Sequence, residues 1–161
     1  MVDNGDGTKT GPQISVGDEL EYTIDFKNSY DKPATVTIVD PLDDGVDFVG
    51  AALNAGTTTP GGEGFIAFKD ADDNIITTGE DAWNVSDTDK GKVYSYTYTY
   101  PTSSDGQAKP YDSATISYNA DTHTVTYVFN NYAANTAGKV LLKVMVNKNA
   151  QKTWTYDPSK D

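Results

Sequence analysis

Residues 14–49 read ISVGDELEYTIDFKNSYDKPATVTIVDPLDDGVDFV, and this stretch decides the fold class. Leu20, Tyr22, Ile24 and Phe26 alternate with Glu21, Thr23, Asp25 and Lys27. Period-two alternation belongs to a strand packed on one face and wet on the other. Asn28 ends that strand in a turn, as a residue that tolerates left-handed geometry. A second strand follows through Val36 and Ile38 to Asp40-Pro41, where proline removes a ladder donor and stops it. A third begins at Val46.

The same pattern continues outward. Strands are predicted over 46–53, 65–69, 75–77, 92–100, 114–118, 124–129 and 140–146, with a short last one over 153–156. Asp70-Ala71-Asp72-Asp73-Asn74 and Asn119-Ala120-Asp121-Thr122 have the composition of hairpin turns. Thr, Val, Tyr and Ile fill the periodic segments, and no segment carries a sustained 3.6-residue apolar period. About nine or ten strands without intervening helices favour antiparallel pairing, and a sheet of that width leaves exposed edges unless it splits in two. The expectation is one all-β domain over 14–161, an antiparallel β-sandwich, preceded by a polar segment over 1–13.

The 161 residues suffice for a core without a disulfide or metal, and the chain has no cysteine, which excludes thiol catalysis and Cys-ligated metal. Formal charge is -12, from 24 acidic against 12 basic residues, and every basic residue is Lys. Without basic clusters, nucleic acid and anionic membrane are poor partners. No apolar run is long enough for membrane insertion. No leader segment is seen, and residues 2–12 look like a cut inside a longer protein, so targeting and anchoring signals are expected outside this chain.

Two ordered series resemble the DUF11-type surface-repeat module and the related D2-type pilin and adhesin modules of Gram-positive bacteria. The first is Val16-Gly17-Asp18, Tyr22-Thr23-Ile24, Asn28, Val36-Thr37-Ile38, Asp40-Pro41-Leu42 and Gly45-Val46-Asp47-Phe48-Val49. The second is Ala114-Thr115-Ile116-Ser117-Tyr118, Thr124-Val125-Thr126-Tyr127-Val128-Phe129 and Gly138 through Val146. Together they cover roughly half the chain; residues 55–113 match nothing in the family and read as an elaborated middle segment. The resemblance implies an immunoglobulin-like sandwich serving as a stalk or adhesin domain, extracellular and associated with the cell wall. Its partners would then be neighbouring domains of the same protein, or a host protein or glycan.

Many D2-type modules carry an intramolecular Lys–Asn isopeptide bond. That chemistry needs a Lys amine held neutral by burial and a carboxyl group to shuttle protons. Lys9 is the one lysine before Val16, and Lys143 lies in the apolar strand 140–146; Asn147 and Asn149 are the nearest asparagines to the chain's end. Lys9 in its Gly/Thr-rich surroundings also suits a solvated loop, and Lys143 also suits a side chain that snorkels from a half-covered face.

Asp70, Asp72, Asn74 and Asp81 repeat the oxygen spacing of a calcium loop, but Ile75 stands where such a loop needs glycine. Turn chemistry accounts for these residues equally well, so no dedicated cofactor is expected, only opportunistic calcium. Tyr94, Tyr96, Tyr98 and Tyr100 fall on one face of a single strand. An exposed row of this kind can stack on sugar rings or a protein partner; a buried one lines the core with its hydroxyls at the rim. His123 is the only histidine, and no nucleophile elbow surrounds any serine. A non-enzymatic structural or adhesive module is the leading expectation. A ligand-binding module using the 94–100 strand is the alternative.

Overall fold

The structure is a computed structural model that describes residues 16–57, 59–89, 91–101 and 109–148, and the backbone of 2–3 and 9–10. Eleven strands follow one another: β1 (Val2–Asp3), β2 (Lys9–Thr10), β3 (Glu19–Asn28), β4 (Ala34–Pro41), β5 (Val46–Ala52), β6 (Phe65–Ala67), β7 (Asn84–Thr88), β8 (Gly91–Thr99), β9 (Ser113–Asn119), β10 (Thr124–Tyr132) and β11 (Thr136–Val146). The first two form a small antiparallel pair of their own. The other nine make two antiparallel sheets, ordered β3-β11-β5-β6 and β4-β10-β9-β8-β7. No helix occurs among the described residues.

Alternation sets which side chains meet between the sheets. On β11 the residues Val140, Leu142, Val144 and Val146 are buried, and on β10 so are Val125, Tyr127 and Phe129. Rings cross the interface directly: Phe26 stacks on Phe129 at 5.1 Å between centroids, and Phe48 on Tyr118 at 5.0 Å. The Tyr127 hydroxyl donates to the Leu141 carbonyl at 2.9 Å, so this inner tyrosine is both buried and satisfied. One contiguous cluster of core residues spans both sheets.

The connectivity contains a long two-stranded ribbon. Glu19 pairs with Met145 and Asn28 with Thr136 in one sheet; Ala34 pairs with Tyr132 and Pro41 with Thr124 in the other. The chain from 19 to 41 therefore runs antiparallel beside the chain from 124 to 145, folding over from sheet to sheet. Asn28 fixes the fold-over. It is buried, and its Nδ2 donates to the carbonyls of Tyr132 (2.9 Å), Lys32 (3.0 Å) and Ala133 (3.2 Å), while its Oδ1 accepts from the Tyr30 N–H (3.0 Å). Left-handed φ angles fall instead on Asp73, His123, Asn131 and Asn135, so Asn28 is there for its amide and not for its backbone. Gly138 is required nearby, because a Cβ there would run into the Tyr132 hydroxyl and the Phe26 ring.

The middle segment belongs to the core. Trp83 is buried, donates from Nε1 to the Ala67 carbonyl at 2.9 Å, and meets Phe48 and Phe68 edge-on. Ile66, Phe68, Tyr94, Tyr96 and Tyr111 join it. The predicted hairpin around residues 70–74 is present, closed by the Lys69–Ile75 bridge. Strand β7 escapes a reading by alternation because all five of its residues are exposed. The predicted strand over 153–156 lies outside the described residues.

Candidate functional site

The sandwich has two poles. At one lie Gly17, residues 41–47, His123 and the end of β11; at the other lie Asn28, residues 53–64, Tyr111 and the start of β11. Chemistry-bearing side chains gather in three places.

At the first pole His123 pins three elements together. Its Nε2 lies 2.7 Å from the Val46 carbonyl and 3.1 Å from the Asp43 carbonyl, and its Nδ1 lies 2.5 Å from the Tyr118 hydroxyl. Carbonyls only accept, so Nε2 carries a proton, and in the neutral ring Nδ1 accepts from Tyr118. Burial, then the nearby charge of Asp47 and then Tyr94, push the Tyr118 hydroxyl up to about 12. His123 is a left-handed turn residue (φ 54°) and a structural clamp.

Between β3 and β4, the end strands of the two sheets among the described residues, runs a groove of about 360 Å³, lined by Tyr22, Ile24, Asp40, Leu42, Leu142 and Val144 among others. Asp40 is half-buried in it, and desolvation raises its carboxyl above the ordinary range. Sequence reading treated Asp40 only as part of a strand stop. The signal was available: in the alternation of β4 it shares the inward face with Val36 and Ile38.

The tyrosine strand divides. Tyr94 and Tyr96 are each only 8 % exposed and pack on Phe68 and Trp83, so they are core residues and not ligand platforms. For those two the buried alternative holds and stacking on a ligand does not, because β8 lies inside its sheet and turns this face toward the opposite one. Tyr98 and Tyr100 are half-buried, edge-on to one another, and continue into Tyr111. Beside them a cavity of about 230 Å³ is lined by Phe26, Asn54, Glu63, Tyr111, Tyr132 and Lys139, with other residues. The Tyr111 hydroxyl is buried with no hydrogen-bond partner of good geometry among the described residues. Burial first, and the Glu63 carboxylate second, raise its pKa far above the usual tyrosine range.

Of the cross-linking candidates, Lys143 and Asn147 have described side chains, and each has other partners. Lys143 Nζ lies 3.5 Å from Glu19 Oε2 and 4.9 Å from the centroid of the Phe65 ring, an ion pair and a cation–π contact. Asn147 donates from Nδ2 to the Asp44 carbonyl and to Asp47 Oδ1. Lys9 has only its backbone placed, paired with Asp3. Asn149 lies outside the described residues.

The calcium set also disperses. Asp70 Oδ1 accepts from the Asp72 and Asn74 N–H groups, an Asx turn that occupies the carboxylate with its own backbone. Lys69 pairs with Asp73 at 3.5 Å. Asp81 stands beside Gly61, in another loop. Among the described residues no three His, Cys, Asp or Glu side chains are grouped to hold a metal ion.

Comparison with protein-family models, with curated proteins and with solved structures returned no match.

Proposed function

We propose that the chain is a structural or adhesive module of a bacterial surface protein, acting as a spacer or presenting unit without catalysis. The observation that carries this reading is the long ribbon of 19–41 against 124–145. It ties the first main strand to the last across both sheets, and its fold-over is fastened by the buried amide of Asn28. Such wiring suits a unit whose work is to stay folded between neighbours. An immunoglobulin-like assignment and a wall location rest on the resemblance in residues 16–49 and 114–146. Immunoblotting of cell fractions with an antibody raised against this chain tests the location: recovery in the wall fraction is expected, and recovery confined to the cytosol would sink the reading.

An internal isopeptide bond belongs to the same proposal. Asp40 is the carboxyl group whose half-buried, desolvated setting suits the proton-shuttling role, with Lys9 and Asn149 as the partners to test. Intact mass lower by one ammonia, restored to the full value in Asp40→Ala, supports the bond; full mass in the unaltered chain removes it.

A ligand-binding module is the second reading, moved from the row 94–100 to the cavity beside Glu63 and Tyr111. The Tyr111 hydroxyl favours it: it is buried beside Glu63 without a hydrogen bond of good geometry, an arrangement that a polar ligand could complete. A glycan and host-matrix screen comparing the chain with Glu63→Gln decides between them; binding lost in the variant promotes this second reading.

A further inference from the structure

We propose that the cavity beside Glu63 and Tyr111 is a socket for the guanidinium of an arginine side chain carried by a partner protein. The proposal deepens the ligand-binding reading and rests on it. Glu63 is half-buried in the cavity wall. Its carboxylate acts on several tyrosines at once: after burial, it is the next cause that raises the hydroxyls of Tyr98, Tyr111 and Tyr132. Separate parts of the chain meet there, since Tyr98 lies on β8, Tyr132 at the end of β10 and Tyr111 in the segment before β9. The lysines beside the cavity are engaged elsewhere: Lys139 pairs with Asp25 at 4.0 Å and Lys109 with Asp112 at 3.9 Å. Among the described residues, therefore, no lysine pairs with Glu63.

Acceptors dominate the inner wall. The Tyr132 O–H donates to the Ala137 carbonyl at 3.1 Å, which leaves its oxygen lone pairs to accept. Tyr111 is 2 % exposed, and its hydroxyl, beside Glu63, has no hydrogen bond of good geometry. With its proton turned to the carboxylate, its oxygen too is an acceptor. Gly138 lines the cavity without a side chain, and a Cβ there would run into the Tyr132 hydroxyl and the Phe26 ring. A neutral polyol asks a site for donors as well as acceptors. A cation made of N–H groups asks for acceptors alone.

Size and charge narrow the class further. The volume of about 230 Å³ is below the roughly 300–1,000 Å³ of ordinary ligand pockets, so the cavity takes the end of one side chain and not a whole oligosaccharide. Guanidinium suits this wall better than ammonium. Its planar fork meets a carboxylate with two parallel bonds, and the same plane stacks on rings. Phe26, Tyr111 and Tyr132 supply rings in the wall, and aromatic faces attract cations. The chain itself contains no arginine, so neither its own side chains nor a second copy brings a guanidinium. Its net charge of -12 draws a basic partner toward it.

The test is an NMR titration of the full chain with capped glycyl-arginyl-glycine, and with the same peptide carrying lysine or citrulline in place of arginine. Citrulline keeps the shape of arginine without its charge. The arginine peptide should move the amide signals of residues 61–64, 111 and 132–139 along saturable curves, and the citrulline peptide should bind at least about tenfold more weakly. That comparison uses the unaltered chain alone, so it stands whether or not a variant folds. Glu63→Gln should weaken arginine binding at least about tenfold, and Tyr111→Phe, which keeps the ring, about two- to tenfold. Glu80→Gln removes an exposed carboxyl elsewhere with the same change of charge, and should leave binding unchanged. Equal binding of the arginine and citrulline peptides, tighter binding of the lysine peptide, or equal losses in Glu80→Gln and Glu63→Gln overturns the proposal. Shifts of the same signals by N-acetylglucosamine, with none by arginine, overturn it in favour of a neutral polyol and leave the ligand-binding reading standing. No shift with any of these probes also overturns it, while the glycan and host-matrix screen decides that reading on its own.

Discussion

Replacing Asn28 tests the fold-over of the ribbon. Asn28→Ala removes three donated bonds and one accepted bond, and strands the Tyr132 carbonyl and the Tyr30 N–H in a site where Asn28 itself is 4 % exposed. The Lys32 and Ala133 carbonyls lie nearer solvent and recover part of their loss from water. Taking about 1–2 kcal/mol for the buried carbonyl and about 0.5–1 for each remaining bond, the expected loss is about 3 kcal/mol. For a chain of this size that lowers Tm by about 6–12 °C. Asn28→Asp is the sharper variant, because it places a carboxylate where the amide donated to three carbonyls. Its folded-state pKa should rise above the unfolded value of about 3.9, so the folded form binds the extra proton. The penalty is then absent at pH below the unfolded pKa, appears as pH climbs through the folded pKa, and is complete above it. Urea denaturation of the three proteins at pH 4 and pH 7 is the assay. An Asn28→Ala loss below about 0.5 kcal/mol, within the range of ordinary surface changes, would refute the reasoning. So would an Asn28→Asp penalty that does not grow with pH.

Further outcomes follow from the same packing. Gly138→Ala forces a methyl against the Tyr132 hydroxyl and the Phe26 ring, and should cost about 1–3 kcal/mol in chemical denaturation. Tyr96→Ala empties a buried position beside Trp83 and should cost about 3–5 kcal/mol, whereas Tyr30→Ala, at a site 73 % exposed, should stay within about 0.5 kcal/mol. His123→Ala breaks the clamp between Tyr118 and the 43–46 loop, with an expected loss of about 1–3 kcal/mol; hydrogen exchange should quicken first in that loop. Calcium and EDTA should leave Tm unchanged, since Asp70 is already engaged by its own turn.

Much of the fold was legible because alternation survives wherever a strand has one wet face. β3, β4, β9 and β10 were recognised for that reason, and so was the hairpin at residues 119–122. β7 was not, because Asn84-Val85-Ser86-Asp87-Thr88 lies at a sheet edge with both faces exposed, and no face had to be apolar. The middle segment was undervalued for a different reason. Trp83 and Tyr111 reach the core from irregular backbone, and periodicity carries no signal there. Strand order was also hidden, since alternation states which face is buried but not which strand lies alongside.

The candidate sites show the same division. Four tyrosines on one face were plain in the sequence, but whether that face met water or Trp83 depended on which sheet β8 joined. Asp40 could have been singled out as a carboxyl on an apolar face; its place on the end strand of a described sheet could not. The Glu63 and Tyr111 cavity is assembled from a loop and a segment distant in sequence, and no spacing announces it.

The most direct test of the central claim is force. The chain is held by its first residues and by Asp161 between reference domains and pulled at constant speed. A module built to stand between neighbours should unfold in one step at a force clearly above that of Asn28→Ala, which loses the fastening of the fold-over. Gradual lengthening at low force, identical in Asn28→Ala, would mean that β3 peels from β11 and would contradict a tension-bearing role.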